Sequence, residues 1–352
     1  MTDLSSLGEG SMAIWTRAQA LALLPPGQVR GLVYDGAWQI PFPGTLCDGG
    51  YALTHQQWGW AGTLASLPRG DCAASLEAVG CGRTAARIWE LPLIDDRDPA
   101  TSANDRLHHD VAVRRHTASQ VSSPPPVEGA DVHLLHRHQL ALTPEDCELV
   151  KGLWVTKPLR TLLDLTSLIT HEALVCAMDA ALHSGKVKLH DLLPLAAERK
   201  GCEHAPAFSR AVAHTDGLAE SPAETLARLI LLPHLPGLRP QVKVYAPSGA
   251  VVARLDLADE ELKLAVEPDG KRWHAGEVMA AKDRQRDATT GDLYGWWTER
   301  VTWYELRRRQ EAFRRRVLAR AAKRRLRLTP AVPTLGPVEQ HSPDDQASRK
   351  AG

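Results

Sequence analysis

At 352 residues the chain is too long for one small core and suits two or three domains. Hydrophobic residues make up 43% and charged residues 24%, an ordinary globular mix with no apolar run of the roughly 18 residues a membrane span needs. Its 42 basic and 42 acidic residues cancel, which argues against a general nucleic-acid coat but leaves room for a local basic groove.

Residues 1–12 read as a disordered leader. MTDLSSLGEGS has neither the basic nor the apolar region of a secretion signal, so a cytoplasmic protein is expected. Residues 13–50 read as a winged-helix-like DNA-binding module. TRAQALALL opens on Thr16, an N-cap residue, and runs into an apolar helix that Pro25-Pro26-Gly27 breaks. QVRGLVYDG predicts a second short helix ending at Gly36, and AWQIPFPGTL a hairpin or wing. Arg17 and Arg30 are this module's only basic residues, so its expected grip on DNA phosphates is modest.

Residues 51–214 read as a mixed connector. CAASLEAV and RTAARIWEL carry helical signals; VAVRRH, VHLLHRH and ELVKGLWVT read as strands, the last as a hairpin turning at Lys151-Gly152. His133, His136 and His138 are expected on a strand surface; a metal site is the alternative, without a Cys or His partner at finger-like spacing. The six cysteines form no CxxC pair and are expected to be free, mostly buried thiols. PLRTLLDLTSLI, EALVCAMDAALHSG and LHDLLPLAAERK then predict helices. Residues 331–352 are polar and expected to be disordered.

The informative stretch lies in residues 215–330. Ser221-Pro222-Ala223-Glu224 begins an apolar helix. VVARLDLA and LKLAVEPDG read as two strands joined by the acidic turn Asp259-Glu260-Glu261. Side chains alternate along a strand, so Asp256 leaves one strand on the face where Lys263, Glu267 and Asp269 leave the next. A turn centred on residues 260 and 261 sets Asp256 across from Ala265, with Glu267 as its diagonal neighbour about 7 Å away. Two carboxylates so placed can grip Mg²⁺ or Mn²⁺, which prefers hard oxygen ligands and can activate water against a phosphodiester. The same carboxylates and lysines also suit the solvated face of an amphipathic hairpin. Glu224 has two readings as well, since Ser-Pro-Ala-Glu is a capping box with proline at the first helical position.

RLDLADEELKLAVEPDGKRWH, preceded by SPAETLARLIL and followed by KDRQRDATTGDLYGWWTERVTWYEL, resembles the very-short-patch-repair-like endonuclease domains of the PD-(D/E)XK nuclease superfamily, over about residues 220–306. TRAQALALL through PGTL resembles an abortive-infection antitoxin-type winged helix, and VHLLHRHQLALTPEDC with VTKPLRTLLDL resembles the usual connector. The resemblance implies an α+β or α/β chain whose C-terminal part is a restriction-endonuclease-like mixed sheet flanked by helices. It implies Asp256 and Glu267 as the metal-binding carboxylates, with Glu224 approaching from the helix. The superfamily's motif lysine, two residues after the second acid, is Asp269 here; Lys271 or His274 is then expected to supply the positive charge or proton donor. His274, next to Trp273, could instead pack at a strand end. Lys282 and Arg286, one turn apart, read as DNA-phosphate contacts or as a solvated face, and so do Arg308, Arg315 and Arg316 in the basic run Arg307–Arg327.

The expected function is a Mg²⁺- or Mn²⁺-dependent DNA endonuclease in repair or defence, with DNA as partner. The alternatives are an antitoxin-like transcriptional regulator with an inactive nuclease fold, and a scaffold binding a protein through the N-terminal or connector region. A mixed sheet is expected within residues 240–306, with Val301–Tyr304 as a late strand after a helix at KDRQRD.

Overall fold

The structure, a computed structural model, describes residues 13–50, 52–67, 76–94, 106–113, 119–122, 132–198, 203–269, 291 and 293–328. The fold is mixed α+β, and among the described residues no helix is long and apolar enough to cross a membrane.

Thr16 starts the first helix as its sequence requires. Its hydroxyl accepts from the Gln19 backbone N–H, and the Gln19 side chain accepts from the Thr16 N–H. Helix α1 (Arg17–Leu23) ends before Pro25, and α2 (Pro26–Tyr34) begins with proline where no N–H is needed. Strands β1 (Ile14–Thr16), β2 (Trp38–Gln39) and β3 (Thr45–Asp48) form an antiparallel sheet in the order β1-β3-β2. Trp15 and Trp38 meet edge to face with ring centres 5.2 Å apart, over Ala20, Val29 and Leu46. Ile14, Phe42 and Cys47 instead pack with Trp60, Val111 and Leu135, so this module shares a core with the chain that follows.

That chain builds a six-stranded mixed sheet from β4 (Ala78–Cys81), β5 (Arg106–Val113), β6 (Ser119–Ser122), β7 (Val132–His138), β8 (Cys147–Val150) and β9 (Leu153–Thr156), in the order β6-β7-β5-β4-β9-β8. Helices α3 (His55–Ser66) and α4 (Gly82–Ile88) pack on it. The β8–β9 hairpin turns at Lys151-Gly152, both at positive φ, as a two-residue turn demands. The helical signal of CAASLEAV is overridden at its end: Ala78 and Val79 are strand, buried on both faces. Gly80 makes this possible, because a Cβ there would lie 3.1 Å from Thr84 and 3.2 Å from Val155 of the parallel neighbour.

Helices α5 (Pro158–Leu165), α6 (His171–His183), α7 (Leu189–Glu198) and α8 (Ala205–His214) follow, around Leu162, Leu174, Met178 and Phe208. Helix α9 (Pro222–Leu231) then packs against the second mixed sheet. This has the order β10-β11-β12-β13, from β10 (Arg239–Tyr245), β11 (Val251–Asp259), β12 (Leu264–Pro268) and β13 (Trp297–Val301). The first three strands are antiparallel and β12–β13 is parallel. Leu226, Leu257, Leu264, Val266 and Val301 bury together with Phe313 and Val317 of the last helix. The late strand lies earlier than Val301–Tyr304. Thr302 caps a short helix, α10 (Trp303–Arg308), through reciprocal bonds with Glu305, and that cap ends the strand at Val301. The last helix, α11, spans Gln310–Leu328. The expected helix at residues 282–287 lies outside the described residues.

Candidate functional site

The β11–β12 hairpin sets the site. Its pairs are Leu257 with Val266, Ala258 with Ala265 and Asp259 with Leu264. Extended one step, the register sets Asp256 directly across from Glu267, not Ala265. The cause is the turn. The Asp259 carboxylate accepts from the Leu262 N–H at 3.0 Å, and Lys263 adopts a left-handed conformation with φ 48°. The turn thus takes residues 260–263, and its centre falls between 261 and 262. Directly opposed residues share a sheet face with Cβ atoms about 5 Å apart, closer than the diagonal pair expected from sequence.

The row continues on both sides. Glu267 pairs in parallel register with Arg300 of β13. The Arg300 guanidinium lies 3.5 Å from Glu267 Oε2 and 3.1 Å from Asp269 Oδ1. On β10, Pro240 pairs with Leu257 and Val242 with Leu255, so Gln241 falls across from Asp256. The row is therefore Gln241, Asp256, Glu267, Arg300, one residue from each strand. Glu267 is only 3% exposed, Asp256 is half-buried, and the Gln241 Oε1 atom is enclosed without a hydrogen-bond donor among the described residues. Gln241 has φ 54°, an uncommon conformation for a non-glycine residue inside a strand.

Glu224 is buried at the start of α9; Ser221 caps the helix, but the reciprocal bond of a capping box goes to the Glu220 N–H instead of the Ser221 N–H. Ser221 Oγ accepts from the Glu224 N–H and donates to Glu224 Oε1 at 2.7 Å; Glu224 Oε2 accepts from the Glu220 N–H. Its link to the row runs through Gln241, whose Nε2 donates to the same Oε2 at 2.9 Å. Among the described residues, no group of three or more His, Cys, Asp and Glu side chains is placed to hold a metal ion. Both Glu224 oxygens are already engaged, Oε1 by the Ser221 hydroxyl and Oε2 by the Glu220 N–H and Gln241. Lys271, His274, Lys282 and Arg286 lie outside the described residues.

Sequence reasoning missed Gln241 and Arg300. WTERV alternates as a strand should, so Arg300 could be placed on one face, but its parallel partner is fixed only by tertiary structure. The basic run also differs from expectation. Arg316 pairs with Glu299 and Glu305; Arg320 pairs with Glu299 and lies over the Trp297 ring; Arg324 donates to the carbonyls of Leu262 and Gly295. This i, i+4 face of α11 holds the helix to the sheet, so Arg316 is a structural contact. Arg315, Lys323 and Arg327 remain exposed. Arg17 and Arg30 are exposed on α1 and α2.

Of the three histidines expected on a strand surface, His133 is buried, and His136 and His138 are half-buried. His133 stacks on Trp58 with ring centres 3.4 Å apart, and its Nδ1 lies 2.9 Å from His109 Nε2. His136 Nε2 is 2.7 Å from His108 Nδ1, and His138 Nε2 is 2.8 Å from Asp110 Oδ1. Their partners come from β5, whose register with β7 no local pattern reveals. Burial pushes His109 and His136 down from the usual imidazole value. Burial alone would raise Asp110, but hydrogen bonds from Arg83 and His138 outweigh it and hold the carboxyl below the usual range.

No protein family model matches the chain. It is similar to two uncharacterized proteins of Mycobacterium tuberculosis, one from strain CDC 1551 and one from strain H37Rv. Each is 30% identical over 148 residues, which is 42% of this chain and 54% of the relative. The chain thus spans about half the length of the curated relatives it matches.

Proposed function

We propose that the four-stranded sheet carries a metal-dependent DNA endonuclease site, with DNA as the partner. The observation that carries this reading is the opposition of Asp256 and Glu267 on neighbouring strands, with Arg300 beside them. In this proposal Asp256 and Glu267 hold one Mg²⁺ or Mn²⁺, which when bound supplies an activated water and neutralises phosphate charge. Arg300 balances the negative row and stands within reach of a phosphate at the sheet edge. Gln241 holds the start of α9 against the row through Glu224. The exposed Arg315, Lys323 and Arg327 offer charge to the DNA backbone. Four described cysteines, Cys47, Cys81, Cys147 and Cys176, are buried free thiols, which suits the reducing cytoplasm.

The test is incubation of the full chain with supercoiled plasmid and Mn²⁺. Nicking should be lost in Asp256→Ala and in Glu267→Gln while DNA binding persists; nicking that survives both substitutions overturns the reading. A DNA-binding regulator is the second reading. It is favoured by Asp269 at the motif lysine position and by the absence, among the described residues, of a three-carboxylate group. It requires that wild type and Asp256→Ala shift duplex DNA equally and that neither cleaves it.

A further inference from the structure

A cavity of about 210 Å³ is lined by the ends of β4 and β7, helix α5 and the turn after it, and the start of α8. Its walls are mostly apolar, with Leu140, Leu163 and Leu168, and carry the polar groups of His138, Arg160, Asp164 and Ser167; Glu203, at the start of α8, is exposed to solvent and lies beside His204. The donors in it are not used up. Arg160 Nε donates to Asp164 and Nη1 to Asp146 and the Ala141 carbonyl, but Nη2 makes no hydrogen bond among the described residues. His138 Nε2 is committed to Asp110, and Nδ1 has no hydrogen bond among the described residues. Helix α8 begins at the cavity wall, and the side chain of its N-cap, His204, makes no capping bond. The start of an α-helix carries partial positive charge.

We propose that this cavity binds a small organic anion, a carboxylate on a short apolar chain, with its charged end between Arg160, His138 and the start of α8. The assignment does not rest on the endonuclease reading. The apolar chain would lie among the three leucines.

Asp164 is the residue that most sharply separates an anion from a cation. Its side chain is 7% exposed, it lines the cavity, and its Oδ2 is enclosed without a hydrogen-bond partner. Burial pushes its carboxyl up to about 6. Arg160 on its own helix pulls the other way, Asp146 from the turn before β8 adds to the rise, and His138 from β7 opposes it. Cys81 of β4 and Cys147 of β8 also face it. Beside a bound carboxylate, Asp164 takes up a proton instead of repelling the ligand. A bound cation would need Asp164 ionised.

The experiment is calorimetric titration of the full chain with n-butyrate, n-butylammonium and n-butanol, at pH 5 and pH 7, for wild type, Asp164→Asn, His138→Gln and Ser167→Leu. Butyrate should bind and the other two should not. Proton uptake by a group titrating near 6 makes wild type roughly tenfold tighter at pH 5 than at pH 7. Asp164→Asn should bind butyrate at pH 7 roughly tenfold more tightly than wild type, because the neutral amide stands in for the protonated acid. His138→Gln should weaken binding. Ser167→Leu, at an exposed position on the cavity wall, should abolish it without disturbing the fold. Preference for butylammonium, weaker butyrate binding in Asp164→Asn, equal binding of butanol, or no heat from any probe would each overturn the proposal.

Discussion

Asp179 on α6 accepts a hydrogen bond from Arg228 Nη2 on α9 at 2.7 Å, and both side chains are almost fully enclosed. The same carboxylate also accepts from the hydroxyls of Thr215 and Thr225 and from the backbone N–H groups of Asp216 and Gly217. The chain at residues 214–215, read from sequence as a domain boundary, is therefore pinned to the helices on either side. Removing one partner of a buried ion pair typically costs about 3–5 kcal/mol, because the other charge is left uncompensated. Asp179→Ala should lower stability by about that amount in urea denaturation, and Asp179→Asn, which keeps some acceptor capacity, by less. An Asp179→Ala protein as stable as wild type would show that the network is dispensable.

Acid should weaken the connector sheet. His109 is buried, and its folded-state value lies well below the ordinary 6.5. The folded state thus binds fewer protons than the unfolded chain once pH falls below about 6.5. Stability is fully present above that value and is lost as pH falls toward the depressed folded value. One excluded proton between pH 6.5 and 5 amounts to at most roughly 2 kcal/mol, and His136 adds in the same direction. Asp164 has the opposite sign: its contribution is full below the ordinary carboxylate value and is lost as pH rises through about 6. In an Asp164→Asn background, melting temperature should fall from pH 7 to pH 5, and His109→Gln should flatten that slope. A slope unchanged by His109→Gln would place the acid sensitivity elsewhere.

Local chemistry was readable from the sequence; partners brought from a distance were not. Thr16 and Ser221 announce their helices because a cap is made within three residues, and Lys151-Gly152 announces its hairpin because the turn needs two positive φ values. The pairing of Asp256 with Glu267 on one face followed from alternation, but the register slipped because Asp259 bonds Leu262 and lengthens the turn. Glu224 was readable as a cap; its bond to Gln241 was not. Arg300 and the β5 partners of the histidines depend on parallel strand pairs, whose crossovers leave no local signature.

Gln241 separates strain from bonding. Its left-handed backbone costs on the order of 1 kcal/mol for a residue with a Cβ, a cost that glycine avoids. Gln241→Ala keeps the strain and loses the bond to Glu224, whereas Gln241→Gly loses the bond and releases the strain. The glycine variant should therefore be the more stable of the two by about 1 kcal/mol, measured by chemical denaturation. An alanine variant equal to or more stable than the glycine variant would mean that the backbone relaxes out of the left-handed region.

Arg300 gives the most direct reading of the charge row. It stands between Glu267 and Asp269, so Arg300→Ala removes a cation from a group of carboxylates and should destabilise the protein by about 1–3 kcal/mol. A divalent ion held by Asp256 and Glu267 would replace part of that charge. It stabilises by mass action, by about 2.7 kcal/mol at a hundred times its dissociation constant. Melting temperature should therefore rise with Mn²⁺ in wild type, rise more in Arg300→Ala, and rise little in Glu267→Gln. Arg300→Lys keeps the charge, but its single ammonium bridges the two carboxylates less well than a forked guanidinium, so its stability should fall between those of wild type and Arg300→Ala. The same measurement in Asp256→Asn distinguishes a shared ion from one held by Glu267 alone: a full Mn²⁺ response there would remove Asp256 from the ligand pair. A rise of equal size in all of these variants would mean that the ion binds away from the row, and the opposed carboxylates would then be a solvated pair balanced by Arg300.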